Sequence, residues 1–469
     1  MSKAGASCSA CSPGYPPRGK ESVCCQHAEQ HVDSRDSQIE DPSGTTAHIT
    51  AHTAEVATPG ARTITEGHTI DLGTHRVIDT REGYLAATKL LAAGTGPIGI
   101  DAERASGFTY SQRAYLIQIY RRDAGTFLFD PPPIGDFSEL NDALADQVWI
   151  LHAASQDLAC LREVGIDPQR IFDTELGARL LGLPRVGLGT VVEELLSIHL
   201  KKEHSAANWS TRPLPEPWLV YAALDVELLP DLYDRMVMMF TEARKSGIAE
   251  QEFQAVLAKE AKPARAEPWR RLSGVHGLRG VRNLAVAREL WIARDDYARD
   301  VDISPGRLIP DAAIIAAAKL NPSTRQALSN LREFTGRASR SQLDRWWAAI
   351  AFAQTTTELP QLKPSGDTLP PPRAWAERNP EADVRYRFAR LALAEVGEAL
   401  SIPLENLLTP DYLRRVAWSP PQPTDAASVA LALAELGARQ WQIDATAQVI
   451  AEAFVDDHQT EEPAPDSES

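Results

Sequence analysis

Three apolar runs stand close together in the chain, PIGID at 97–101, AYLIQIY at 114–120 and TFLFD at 126–130, with no helical pattern between them. Strands joined without a crossover helix are hairpin neighbours and run antiparallel. These runs therefore predict an antiparallel meander. Around it the pattern alternates. RVID (76–79) reads as a short strand and EGYLAATKLLAAG as a helix ending at Gly94. A helix over 137–145 precedes a strand in VWILHA (148–153), and SQDLACLREVG reads as a helix with Ser155 as its N-cap. Further helices are predicted around 173–183, 188–198 and 216–242. The sum is an α/β domain over residues 63–245, a mixed sheet flanked by helices.

With 469 residues the chain exceeds one domain of roughly 150. Residues 1–62 are rich in Ser, Gly, Thr, Ala and His and read as a disordered extension. Cys8, Cys11, Cys24 and Cys25 lie there beside His27 and His31, in a spacing that fits no zinc finger well, so the thiols read as incidental. Cys160 reads as an apolar core position. A charged linker is expected at 246–274, a helical domain at 275–356, a Pro-rich linker at 357–379 and a second helical domain at 380–456. The two helical blocks echo each other, ARDVDISPGRLIPDAAI against GEALSIPLENLLTPDYL, as a duplicated module would. Residues 457–469 form an acidic tail.

No apolar run approaches the ~18 residues of a membrane span, and the N-terminus lacks the hydrophobic stretch of a secretory signal. The cytoplasm is the expected compartment. A net charge of −16 argues against nucleic acid as a partner only on average. Residues 262–345 carry a local net charge of +7, leaving −23 for the rest. One basic module on an acidic chain is compatible with a polyanion.

Five residues form the candidate site. Asp101 and Glu103 end the PIGID strand, two apart and so on one face. Asp157 falls at a strand-to-helix turn, and Tyr221 and Asp225 lie four apart on one helix face. Each motif is weak alone. Their order is not, with intervals of 56 residues from Asp101 to Asp157 and 68 from there to Asp225.

The ordered set resembles the DEDD superfamily of 3′–5′ exonucleases in its tyrosine subtype, most closely the ribonuclease D family. AYLIQIY, FDTELGARLLG and KKEHSAANWSTRPLP are similar to further segments of that family. The block at 280–355 resembles an HRDC domain and that at 380–455 a second one, so the resemblance covers about residues 65–455. It implies a ribonuclease H-like mixed sheet followed by two all-α HRDC-type domains. There are departures. The family's aromatic after its first acidic motif is replaced by Arg104, and the loop before Trp209 has Asn208 where an Asp is usual. Asp173-Thr174-Glu175 spells that first motif but precedes a helix, and reads as helix-start acids.

The resemblance also implies roles. Asp101, Glu103, Asp157 and Asp225 would hold two divalent cations, Mg²⁺ or Mn²⁺, which together stabilise the attacking and leaving oxygens of a phosphodiester. Tyr221 would orient the nucleophilic water. The expected activity is a metal-dependent 3′–5′ exoribonuclease releasing nucleoside 5′-monophosphates, acting on RNA such as tRNA precursors. The alternatives are a 3′–5′ DNA exonuclease and a silent nucleic-acid-binding scaffold. Arg279, Arg282, Lys319, Arg325, Arg337 and Arg340 are candidate phosphate contacts, and Trp346 and Trp347 invite base stacking, with core packing favoured for at least one. His152 reads as a supporting residue rather than a catalytic one.

Overall fold

The three apolar runs become the centre of a six-stranded mixed sheet. Its strands are β1 (Val77–Ile78), β2 (Thr95–Arg104), β3 (Ala114–Arg122), β4 (Gly125–Phe129), β5 (Trp149–Leu151) and β6 (Ile171–Asp173), in the order β1-β4-β3-β2-β5-β6. β2 to β3 and β3 to β4 pair antiparallel, as the meander requires. β1 to β4, β2 to β5 and β5 to β6 are parallel. The computed structural model describes residues 76–200, 206–260, 265–334, 336–362 and 369–456. The cysteine- and histidine-bearing extension, Lys201 and Lys202, and the acidic tail lie outside them.

Strand alternation on β2 decides where the site can form. Ile98, Ile100 and Ala102 are buried on one face, which leaves Gly99, Asp101 and Glu103 on the other. The helices Glu216–Glu227 and Leu229–Glu242 pack on β2 from that second side. Gly99 permits the approach, since a Cβ there would stand 2.6 Å from the Val226 carbonyl oxygen. These two helices were expected as one. They break at Leu228, where Pro230 in the first turn of the second helix supplies no backbone N–H.

The segment expected as a charged linker contains the helix Ser246–Leu257. Its Phe253 packs against Phe172 of β6 with ring centroids 4.9 Å apart. Charged residues around Phe253 masked a narrow apolar face in the sequence. Further on, Trp269 is 3% exposed and belongs to the core of the first helical block. Trp375, inside the Pro-rich stretch, is fully buried against the second.

The first helical block includes the helices Val281–Val301, Pro305–Leu308, Asp311–Leu320, Arg325–Ser329, Arg337–Ser341 and Leu343–Thr355 around Leu290, Ile314, Phe334 and Trp346. The second runs from Pro380–Leu400 through Leu404–Leu407 and Pro410–Trp418 to Ala426–Glu435 and Gln440–Asp456. The sequence echo is a structural one. In each block a 21-residue helix ends on a left-handed residue, Asp302 (φ 48°) or Ser401 (φ 49°), and a one-turn helix follows. The second block shares the apolar core of the sheet domain. Arg439 also grips Glu252 with two bonds of 2.6 and 2.7 Å.

Candidate active site

Asp101 and Glu103 occupy the C-terminal end of β2, beside its antiparallel partner β3 and near its parallel partner β5. Asp101 lies opposite Gln118 in the register, and Gln118 Nε2 donates a 2.7 Å hydrogen bond to Asp101 Oδ2. Gln118 is fully buried, so its amide is a fixed donor aimed at one carboxylate oxygen.

Asp157 follows β5 on a tight turn. The expected cap at Ser155 is not formed. Residues Ala154–Gln156 make a 3₁₀ turn and the helix begins at Leu158, with Asp157 in the cap position making no side-chain cap bond. Its carboxylate is therefore not consumed by the helix end. Ala153 enters the turn in the left-handed region (φ 63°), a conformation that a non-glycine residue holds only when its surroundings impose it. Asp173 imposes it. Its carboxylate caps the helix Thr174–Leu180 through Glu175 N and Leu176 N, and also accepts from Ala153 N (3.0 Å) and Ala154 N (2.9 Å). The acid that reads as a helix-start residue thus also builds the turn carrying Asp157.

Tyr221 and Asp225 share one face of the helix Glu216–Glu227, and the Tyr221 hydroxyl is hydrogen-bonded to Asp225. The helix is steered by its approach loop. Arg212 clamps Asp130 at the end of β4 with two 2.7 Å bonds and donates to the Tyr115 carbonyl. Trp209 is fully buried, and Trp218, Phe108 and Tyr221 pack in the same apolar cluster.

Carboxylate oxygens of Asp101, Glu103 and Asp225 come within 4.8 Å of one another. Three anions that close repel by about 3.5 kcal/mol per pair at an effective dielectric of 20. Burial, then Asp101, Asp225 and Asp157, push the Glu103 carboxyl up to about 10. Burial and Asp101 push Asp157 and Asp225 each to about 8. Asp101 is raised by burial against the pull of the Ala102 amide, Arg104 and Gln118. Tyr221 is raised by burial and by Asp225, and so stays protonated. Asp157 stands outside the triplet, but its charge raises Glu103 and it is raised in turn by Asp101. Arg104 Nη2 is 3.5 Å from Asp157 Oδ1, the one cation that touches these acids among the described residues. Hard oxygen donors, crowded and short of positive charge, fit a divalent cation such as Mg²⁺ or Mn²⁺.

Comparison with known proteins identifies the domains. Residues 75–240 match the family described as 3′–5′ exonuclease, 283–350 the HRDC domain, and 368–454 the 3′ to 5′ exonuclease C-terminal domain. Ribonuclease D of Pseudomonas paraeruginosa is 31% identical over 284 residues, 58% of this chain and 73% of the relative. The chain belongs to the ribonuclease D family. Three such relatives are covered over 66, 73 and 77% of their own length. A protein from Bifidobacterium adolescentis of known structure is 36% identical, with a TM-score of 0.76 over 82% of this chain and 97% of that one. Escherichia coli RNase D shares the fold, with a TM-score of 0.59 at 23% identity over 83% of this chain and 100% of its own. As a ribonuclease D family member, the chain carries the catalytic domain of a hydrolytic 3′–5′ exonuclease, followed by a helical HRDC domain. The C-terminal block, expected as a second HRDC-like domain, matches a family of its own, although its helix order repeats that of the first.

All five residues singled out in the sequence lie in this one region, with Glu103, Asp157, Tyr221 and Asp225 around Asp101. Sequence reasoning missed Gln118 and Gly99 as supports, and half the role of Asp173. For Gln118 a signal existed, a lone amide inside an apolar strand. His152 bonds Thr174 Oγ1 through Nδ1 at 2.9 Å, and burial lowers it to about 4, which keeps it neutral. Trp346 is fully buried, while Trp347 is partly buried against the same core. Of the candidate phosphate contacts, Arg282 donates to the Ala353 and Thr356 carbonyls and Arg325 pairs with Asp344. Arg279, Lys319, Arg337 and Arg340 are exposed.

Proposed function

We propose that the chain is a metal-dependent 3′–5′ exoribonuclease that removes nucleoside 5′-monophosphates from RNA 3′ ends, tRNA precursors among them, in the cytoplasm. The reading rests on one observation, the approach of Asp101, Glu103 and Asp225 oxygens to within 4.8 Å in a site short of positive charge. Asp101, Glu103, Asp157 and Asp225 would hold two divalent ions. When bound, such ions supply Lewis-acid stabilisation to the attacking and departing oxygens of the phosphodiester.

The remaining work falls to the chain. Gln118 fixes one oxygen of Asp101, so the other is the oxygen aimed at a ligand. Tyr221 keeps its proton and is held by Asp225, which makes it an orienting hydrogen-bond partner for the attacking water rather than a base. Water adds to phosphorus as the 3′-oxygen of the preceding nucleotide leaves. Phe108 and Trp218, packed beside Tyr221, offer an aromatic wall for the terminal nucleotide. The exposed Arg279, Lys319, Arg337 and Arg340 would add phosphate contacts that weaken with salt.

The test uses matched RNA and DNA oligonucleotides, labelled at the 3′ end, with Mg²⁺, Mn²⁺ or chelator. Metal-dependent release of labelled mononucleotide from RNA is the expected result. Equal turnover in excess chelator sinks the metal assignment, preference for DNA the substrate assignment, and no turnover at all the enzyme.

A further inference from the structure

The loop 105–113 leaves β2 directly after Glu103 and Arg104 and returns to β3 at Ala114, which pairs with Arg104. It borders the acids on one side and carries Phe108 into the apolar cluster of Tyr221 on the other. Within itself it is held by turn and side-chain bonds, among them Phe108 N and Thr109 N to the Ala105 carbonyl and Ser106 Oγ to Gln112 Oε1. Most of its remaining anchorage comes from the HRDC domain.

One carboxylate does much of this. Asp302 ends the helix Val281–Val301 in the left-handed region. Its Oδ1 accepts from Ser111 N (2.8 Å) and Tyr110 N (3.1 Å). Its Oδ2 accepts from Ser111 Oγ (3.2 Å) and Tyr115 Oη (3.4 Å), with Arg113 Nη2 at 3.5 Å. Beside it, Ser304 N donates to the Phe108 carbonyl (3.0 Å) and Arg307 Nε to the Gly107 carbonyl (2.6 Å). The Arg307 guanidinium lies 4.0 Å from the Phe108 ring centroid. Tyr110 bonds Asp295 through its hydroxyl (3.1 Å) and packs on the HRDC core.

We propose that Asp302 is a positioning residue for the exonuclease reaction, pinning the β2–β3 loop so that the Phe108 side of the site stays in register with Tyr221. This rests on the exonuclease reading above. A paired acceptor for two adjacent backbone N–H groups is the device by which a side chain fixes a turn's shape. The HRDC domain has a core of its own, to which the loop adds only the partly buried Tyr110. The domain bonds the loop's backbone at Gly107, Phe108, Tyr110 and Ser111, so it fixes how the loop sits over the site. Under this assignment the HRDC domain completes the active site from outside the catalytic domain, besides any grip on RNA.

The test separates pinning from RNA binding by substrate size. A p-nitrophenyl ester of a nucleoside 5′-monophosphate presents a single nucleotide to the acids and nothing to the basic helical face. Asp302→Gly removes the acceptor at no backbone strain, whereas Asp302→Asn keeps an oxygen for both amides and tolerates the left-handed conformation. With Mn²⁺ present and folding verified by circular dichroism, D302G should lose roughly tenfold or more in kcat on the ester, as misplaced groups do. D302N should recover to within about threefold of the parent. Amide hydrogen exchange over residues 108–113 should accelerate in D302G and not in D302N. Parent-like ester turnover by D302G, or a loss confined to long RNA, overturns the proposal, as does unchanged exchange. A parent chain that cleaves neither ester nor RNA overturns the exonuclease reading instead and takes the proposal with it, a result the exchange data cannot mimic.

Discussion

Gln118 donates to Asp101 across the β2–β3 register at 2.7 Å while its own Oε1 is buried without a hydrogen-bond partner. The amide is thus held in place for one of its two ends. An unsatisfied buried acceptor costs about 1–3 kcal/mol, a stability loss that makes sense where the other end aims a ligand. Gln118→Met should relieve the orphan oxygen and leave melting unchanged or higher. It should also free Asp101 to rotate, lowering kcat about tenfold to a hundredfold, the range of one lost hydrogen bond to a charged group. Calorimetry and steady-state kinetics on one preparation check the opposed signs.

The acid cluster predicts a comparable opposition. Asp101→Asn or Asp225→Ala should abolish hydrolysis, at least about a hundredfold, the scale of removing one electrostatic group from a site. Either change removes a buried carboxyl that must ionise beside other acids, so above about pH 8 the metal-free variants should melt higher than the parent. Parent-level turnover in either variant would refute the assignment.

The raised carboxyls set a pH dependence for the metal-free protein. Glu103 rises from 4.5 to about 10, and Asp157 and Asp225 from 3.8 to about 8. The folded chain retains protons that the unfolded chain has released above pH ~5. Their contribution to stability is complete below the unfolded values near 4 and is lost as pH climbs through 8 to 10. Melting in chelator should therefore fall between pH 5 and pH 9, and Mg²⁺ should flatten the decline. A decline of the same slope with and without Mg²⁺ would place the titrating groups elsewhere.

Gly99 tests how the helix reaches the strand. A methyl group added there meets the Val226 carbonyl oxygen at 2.6 Å, so either strand or helix must shift. Gly99→Ala should cost about 1–3 kcal/mol, as overpacking does, and should reduce kcat by displacing Asp225 and Tyr221 from Asp101. Thermal melting with kinetics reads both. A folded variant with unaltered kcat would show that the close approach has no bearing on the site.

The strands, the helix carrying Tyr221 and Asp225, and the order of the acids were legible in the sequence because each depends on near neighbours. Strand alternation puts Asp101 and Glu103 on one face, and helical spacing does the same for Tyr221 and Asp225. The linker helix Ser246–Leu257 and the break at Leu228 were not legible. A narrow apolar face among charges, and a proline just inside a new helix, weigh little against their surroundings.

What the tertiary structure alone decided is convergence and support. That Asp225 meets Asp101 depends on a glycine facing a carbonyl oxygen, and that Asp157 does depends on the pairing of β2 with β5; no local pattern encodes either contact. The second role of Asp173, the aim of Gln118 and the hold of Asp302 are likewise hydrogen bonds between groups remote along the chain. Periodicity orients a side chain relative to its own element, and only packing brings one element to another.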